Sequence, residues 1–85
     1  MAPIHISNVN SYNNVDGVKD FIDNSNIFFV NGRRNYDIND YRQLIHEYSD
    51  NCYVSVIYVD NVVHNVFIRL YDHHNILSQT AIYLL

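Results

Sequence analysis

The sequence predicts a small α+β protein in which a mostly antiparallel β-sheet of four to five strands packs on two helices. Segments 15–24 and 37–48 repeat apolar residues at helical spacing. Five other segments are short apolar or alternating runs, and two of them are separated by only two residues, as in an antiparallel hairpin. At 85 residues the chain is expected to be one α+β domain spanning 1–85, in the order β-α-β-α-β-β-β.

The first half supplies a strand, a helix and a second strand. Ile4 and Ile6 alternate with polar residues, which predicts a strand over 3–9. A helix is expected from residue 15 to about 24, although Gly17 weakens it by about 1 kcal/mol relative to Ala. The apolar run 27–30 ends at Asn31 and Gly32, a pair that favours a tight hairpin turn, so 33–36 is expected to be a short return arm.

The second half contains the clearest elements. Asp37 can accept hydrogen bonds from the free amides of a helix that starts there. Segments 52–59 and 62–71 are β-rich and are joined by Asp60 and Asn61, which both tolerate left-handed backbone. Segment 72–75 breaks the pattern, and 80–85 is expected to be the last strand.

The predicted hairpin is apolar on both faces. A regular two-residue turn places Tyr58, Phe67, Arg69 and Tyr71 on one face and Tyr53 on the other. A half-solvated hairpin shows one polar face, so this hairpin is expected to be covered on both sides. The helices supply one cover, and a neighbouring segment or a partner molecule supplies the other.

The polar composition is strongly skewed. The chain has 13 Asn, 8 Asp, 8 Tyr and 5 His, but 1 Lys, 1 Glu and 2 Gln. The codons of the first four residues have a central A and end in a pyrimidine, whereas Lys, Glu and Gln have the purine-ending counterparts. Folding does not require this bias, so it indicates the genome, and we take it as grounds for the hypothesis of a virus or another mobile element.

Charge and cysteine content restrict the function classes. Only 16% of residues are charged and the net charge is −4, which disfavours non-specific nucleic-acid binding. The lone Cys52 rules out an internal disulfide, and no apolar run is long enough to span a bilayer. No basic-then-apolar leader opens the chain. The expectation is an intracellular, cytoplasmic protein of a reducing compartment that does not enter a membrane.

Candidate catalytic and metal-binding residues are better explained structurally. His73 and His74 are adjacent, and on an extended chain such residues point to opposite sides, so a solvated turn is favoured over a zinc site. Cys52 heads an apolar strand, where a free cysteine usually packs as a small hydrophobe. No Ser, His and acid set has a recognisable context. We therefore expect no enzyme activity, no metal and no cofactor.

The candidate binding residues are arginines and aromatics. Arg33 and Arg34 follow the expected hairpin turn, where guanidinium groups could meet phosphate or carboxylate. Tyrosine and arginine are common at protein interfaces. The candidate partner-binding residues are Arg33, Arg34, Tyr53, Tyr58, Phe67, Arg69 and Tyr71.

The leading hypothesis is a small non-enzymatic protein-interaction module that acts as an inhibitor or adaptor of a host protein. A homodimer is also expected, because a second copy could cover surplus apolar surface. One alternative is a nucleic-acid-binding accessory protein using the Tyr and Arg surface, which the net charge disfavours. Another is an immunity protein or antitoxin, whose mild acidity would complement a basic toxin.

Overall fold

The computed structural model describes residues 3–13, 15, 17–32 and 37–83. Within these ranges, five antiparallel strands in one sheet and two helices confirm the predicted α+β class and element order. The elements are β1 (Ile4–Val9), α1 (Val18–Asn24), β2 (Ile27–Gly32), α2 (Ile38–Glu47), β3 (Cys52–Val59), β4 (Val62–Asp72) and β5 (Asn75–Tyr83).

The strand order in the sheet is β1-β3-β4-β5-β2, with every neighbouring pair antiparallel. Consecutive hairpins join β3, β4 and β5. Their turn residues, Asp60 and Asn61 in the first and His73 and His74 in the second, all have positive φ. Asn, Asp and His adopt this left-handed backbone more readily than most other residues. The predicted turn at Asp60 and Asn61 is therefore confirmed, and both histidines of the pair lie in an exposed turn.

The prediction of a hairpin turn at Asn31 and Gly32 was wrong. Strand β2 continues through both residues and pairs with β5, placing Gly32 opposite Ser78. A Cβ at position 32 would lie 3.2 Å from the Ser78 Cβ, so glycine permits a close strand approach here. The predicted return arm, 33–36, lies outside the described residues. Strand β5 begins at Asn75, five residues earlier than the predicted 80.

A β-bulge changes which residues of the long hairpin face the helices. Tyr58 pairs with Val63 and Ile57 pairs with Asn65, so His64 has no partner on β3. Every later residue of β4 is thereby shifted by one position against a regular hairpin. The predicted grouping of faces was therefore wrong from Asn65 onward, because one extra residue exchanges the two faces of a strand.

The shift gives β3 and β4 an apolar inner face. The buried strand residues on this face are Cys52, Val54, Val56, Val66, Ile68, Leu70, Ser78, Thr80 and Ile82. In a regular hairpin, Phe67 and Arg69 would share a face with buried Val54 and Val56. Burying an unpaired guanidinium group under the helices would cost several kcal/mol, which favours the bulged register.

The helices cover this inner face. Helix α1 contributes buried Val18, Phe21 and Ile22, and α2 contributes Tyr41 and Ile45. The Tyr41 hydroxyl lies 2.5 Å from Ser78 Oγ and also hydrogen-bonds Thr80 Oγ1, so the polar side chains on the inner face of β5 are satisfied.

Both helix starts have clear local causes. Asp37 Oδ1 accepts from the backbone amides of Asn39 at 2.8 Å and Asp40 at 3.0 Å, which confirms the predicted N-cap of α2. These hydrogen bonds, first that from Asp40, hold the pKa of Asp37 below its ordinary value. Helix α1 begins later than predicted because Gly17 precedes it with φ of 84°, a conformation that glycine adopts without strain.

Arg42 connects the two helices. Its Nε donates to the Ile22 carbonyl at 3.0 Å, and its Nη2 donates to the Ser25 carbonyl at 2.7 Å. These bonds satisfy carbonyl groups at the C-terminal end of α1. Neither helix in the described part of the chain combines the length and apolar character needed to cross a membrane.

Candidate functional site

The candidate site is the face of the sheet opposite the helices, which we call the open face. Strand pairing and side-chain alternation define it. Its central residues are Ile4, Ile6, Asn8, Phe29, Tyr53, Ser55, Ile57, Phe67, Arg69, Gln79, Ala81 and Tyr83. No described helix or loop packs over these residues, because both helices lie on the inner face.

Large apolar side chains of the open face are exposed to solvent. Ile4 is 68% exposed, Ile6 is 59% exposed and Phe29 is 65% exposed. Monomeric soluble proteins seldom leave contiguous apolar patches of more than a few hundred Å² uncovered. Five strands spaced about 4.8 Å apart and about eight residues long present a face of roughly 500 Å². The exposed apolar side chains lie at the two opposite edges, on β1 and β2, and polar and aromatic residues lie between them. The face as a whole has the dimensions of an interaction surface.

Two neighbouring rows of side chains cross the centre of the open face. Ser55, Phe67, Ala81 and Phe29 form one row, and Tyr53, Arg69, Gln79 and Asn31 form the next. The small Ala81 side chain lies between the two phenylalanines in the first row. A groove of about 330 Å³ forms at this place, lined by Phe29, Tyr53, Phe67, Ile68, Arg69, Gln79, Thr80 and Ala81.

Neutral neighbours hold the Arg69 guanidinium at the groove. Its Cζ lies 5.7 Å from the centre of the Tyr53 ring. Its Nη1 donates to the Tyr71 hydroxyl at 3.4 Å, and its Nη2 donates to Gln79 Oε1 at 3.1 Å. Tyr53 is itself fixed by donating to Asn8 Oδ1 at 3.1 Å. These contacts restrict the side chain before any partner arrives, which lowers the entropy lost on binding.

The charge of Arg69 is not neutralised within the described residues. Its Nε is buried without a hydrogen-bond partner, and no carboxylate pairs with the guanidinium. The five strands contain one acidic residue, Asp72 at the end of β4, which alternation directs away from the face that holds Tyr71. Arg69 therefore contacts the aromatic residues Tyr53 and Tyr71 and not a carboxylate of the described residues.

The structure brings together four of the seven predicted binding residues. Tyr53, Phe67, Arg69 and Tyr71 lie on the open face, although a regular hairpin would have separated Tyr53 from the others. Tyr58 lies on the inner side, half-buried against the core and 5.2 Å from the His5 ring. Arg33 and Arg34 lie outside the described residues.

Several residues of this site were not predicted from the sequence. Phe29 and Ala81 shape the groove, and Gln79 orients Arg69, yet none was a candidate. Their positions depend on the pairing of β2 with β5, which joins segments about 50 residues apart in the chain. Residues 75–79 gave little local signal for the start of β5, because the consecutive polar residues Ser78, Gln79 and Thr80 interrupt its apolar character.

A second polar constellation lies at the helical layer. The Tyr12 hydroxyl is 2.5 Å from His46 Nδ1, and His46 Nε2 is 2.6 Å from Asp23 Oδ1. Burial raises the pKa of Tyr12, and the nearby Cys52, Asp23 and Asp50 raise it further. A buried hydroxyl that resists ionisation is unsuited to nucleophilic attack. This chain of hydrogen bonds instead ties the segment after β1 to both helices.

Cysteine and metal chemistry find little support in the described residues. Burial raises the pKa of Cys52 to about 11, which keeps the thiol protonated and unreactive at neutral pH. No three His, Cys, Asp or Glu side chains among residues 3–13, 15, 17–32 and 37–83 form a cluster that could hold a metal ion. The open face is therefore the strongest candidate site.

Comparisons with protein-family models, curated protein sequences and solved structures found no match to this chain.

Proposed function

We propose that this chain is a small non-enzymatic protein-interaction module that binds a protein partner through the open face. The observation that supports it most is that, among the described residues, helices cover only one side of the sheet. On the other side, Ile4 and Ile6 of edge strand β1 and Phe29 of the opposite edge strand β2 are exposed. The face of roughly 500 Å² estimated from strand spacing has the same order as the about 800 Å² that each partner contributes to a standard interface.

In this proposal the protein acts sterically, as an inhibitor or adaptor. Tyr53, Phe67 and Arg69 supply contacts of the kinds that dominate protein interfaces. An origin in a virus or mobile element, and therefore a host protein as the partner, remains a hypothesis drawn from the codon-level bias. A cytoplasmic location is part of the same hypothesis.

Comparative affinity capture tests this function. The bait would be the intact chain, expressed in its native cells, beside a Phe29→Ser/Phe67→Ser variant. Gln43→Ser, on an exposed position of α2, is the matched control. We expect one protein to be captured by the parent and the control and lost from the open-face variant. Capture that is equally strong with all three baits would contradict the proposal.

A nucleic-acid-binding accessory protein is the second candidate, favoured by the aromatic rings of Tyr53 and Phe67 beside Arg69. Single-stranded nucleic acids bind such rings by stacking, but they also require several cations along the backbone. Among the residues of the five described strands, Arg69 is the only Lys or Arg. Binding of an oligonucleotide that weakens steeply between 50 and about 200 mM salt would support this candidate.

An immunity protein or antitoxin is a further proposal. The two helices carry Asp20, Asp23, Asp40 and Glu47, and Asp37 caps the second helix, so acidic groups lie on the side away from the open face. Such a surface would speed the encounter with a basic toxin. Capture lost after charge reversal at Asp40 and Glu47, but kept after Phe29→Ser, would favour it.

We also propose that the protein is a homodimer. The outer edge of β1 has no hydrogen-bonded neighbour among the described strands, so two copies could continue the sheet through this edge. Light scattering at micromolar concentration should then give twice the 10.0 kDa chain mass. Ile6→Lys, which places a charge on the edge strand, should give the monomer. A parent protein that is monomeric under the same conditions would rule out this dimer.

A further inference from the structure

The groove on the open face combines an apolar space with one uncompensated cation. Ala81 leaves room between Phe67 and Phe29, and the resulting volume of about 330 Å³ lies at the lower end of the range for binding sites, about 300–1,000 Å³. Arg69 stands at the side of this space, in the neighbouring row. An occupant that matches both features must carry an apolar group beside an anionic group.

Arg69 has N–H groups that are not used in hydrogen bonds within the described part of the chain and can donate to an anion. A guanidinium group has five N–H donors, two on each Nη and one on Nε. One Nη1 donor goes to Tyr71 and one Nη2 donor goes to Gln79, so one N–H on each Nη remains. A carboxylate has two oxygens that can accept from the Nη groups of one arginine.

On these grounds, which rest on the function proposed above, we propose that the open-face groove binds a segment of another protein that presents an Asp or Glu carboxylate to Arg69. The segment places an apolar side chain in the space over Ala81, between Phe67 and Phe29. The carboxylate supplies the negative charge that Arg69 lacks within its own chain, and the apolar side chain covers exposed aromatic surface.

Charge complementarity selects this occupant over two others. A second copy stacked through its open face would bring Arg69 near another Arg69, and the described open face has no acid to offset them. A nucleic acid would present a row of phosphates to an open face whose described residues include one arginine. The net charge of −4 also disfavours a strongly acidic partner, so a mostly apolar segment with a single carboxylate fits best.

The test begins with selection of random 12-residue peptides on the immobilised intact chain. The wild-type chain should enrich peptides that carry Asp or Glu within two positions of a large apolar residue. Two variants separate the parts of the site. Arg69→Gln removes the charge, whereas Ala81→Phe fills the groove. Circular dichroism and the urea midpoint establish that each variant is folded.

For a selected peptide, we expect Arg69→Gln to weaken binding at least 10-fold and Arg69→Lys to weaken it less. Replacing the peptide carboxylate by its amide should cause a similar loss on the wild type, but little additional loss on Arg69→Gln. This non-additivity is the signature of a direct contact between the two groups. Ala81→Phe should abolish binding of peptides with or without the acid.

The other outcomes overturn the inference in distinguishable ways. Peptides that depend on Ala81 but bind Arg69→Gln within 2-fold of wild type would refute the carboxylate contact and leave the proposed function standing. Peptides insensitive to both variants, or a library from which nothing is enriched, would refute the groove as a peptide-binding site. The affinity capture described above would then decide the proposed function by itself. An oligo-dT 12-mer that competes for the groove with a steep salt dependence would assign it to nucleic acid instead.

Discussion

Because of the bulge at His64, neighbouring residues of β4 should contribute unequally to the free energy of unfolding. Substitution of two adjacent residues tests this. Ile68 is 2% exposed on the inner face, whereas Phe67 is 38% exposed on the open face. We expect Ile68→Ala to lower the free energy of unfolding by about 3 kcal/mol, within the range of about 2–5 kcal/mol for truncating a buried isoleucine. Phe67→Ala should lower it by about 1 kcal/mol or less, because its cross-strand neighbours, Ser55 and Ala81, are small.

Urea unfolding followed by circular dichroism provides the assay. For a chain of this size the free energy of unfolding falls by about 1.5 kcal/mol per M urea, so the loss expected for Ile68→Ala moves the midpoint by about 2 M. The loss expected for Phe67→Ala moves it by less than about 0.7 M. In a regular, unbulged hairpin the two residues would exchange faces. A larger loss for Phe67→Ala than for Ile68→Ala would therefore refute the bulged register.

Three further predictions concern the bulge, the cap of α1 and acid stability. Deleting His64 should change the free energy of unfolding by less than about 1 kcal/mol, because Val63 and Asn65 keep their partners on β3. Calorimetry that shows a loss of cooperative unfolding would contradict this. Gly17→Ala should destabilise the protein by about 1–2 kcal/mol, since alanine is strained at φ of 84°, and an unchanged melting temperature would argue against that cap. Burial alone would raise the pKa of Asp23, but hydrogen bonds and charges from His46 and Lys19 bring it below its ordinary value. The carboxylate thus contributes stability that is fully present above pH of about 4 and is lost as the pH falls through its folded pKa. Asp23→Asn should therefore lower the free energy of unfolding at pH 7 by under about 1 kcal/mol, and this deficit should shrink as the pH falls below about 4. A deficit that is independent of pH would show that charge is not its cause.

The site was predictable only in part. The aromatic and arginine candidates Tyr53, Phe67 and Arg69 were identified from residue type, and the structure places them together. The regular hairpin expected from the sequence would place Tyr53 on the face opposite Phe67 and Arg69, so their shared face depends on the bulge at His64. The groove was not predictable, since it depends on the small Ala81 lying between Phe67 of β4 and Phe29 of the distant β2.

Local chemistry in the sequence was sufficient for the α+β class, the element order, the Asp37 cap of α2 and the tight turn at Asp60 and Asn61. Each depends on interactions among residues a few positions apart, which any compact fold of this chain would preserve. The placement of β2 beside β5 and the extra residue at His64 were decided only by tertiary structure. Two short helices can cover only one face of the sheet. The favoured register is the one in which the aliphatic residues of β4 pack against the helices. The same register places Phe67 and Arg69 on the face that the helices do not cover.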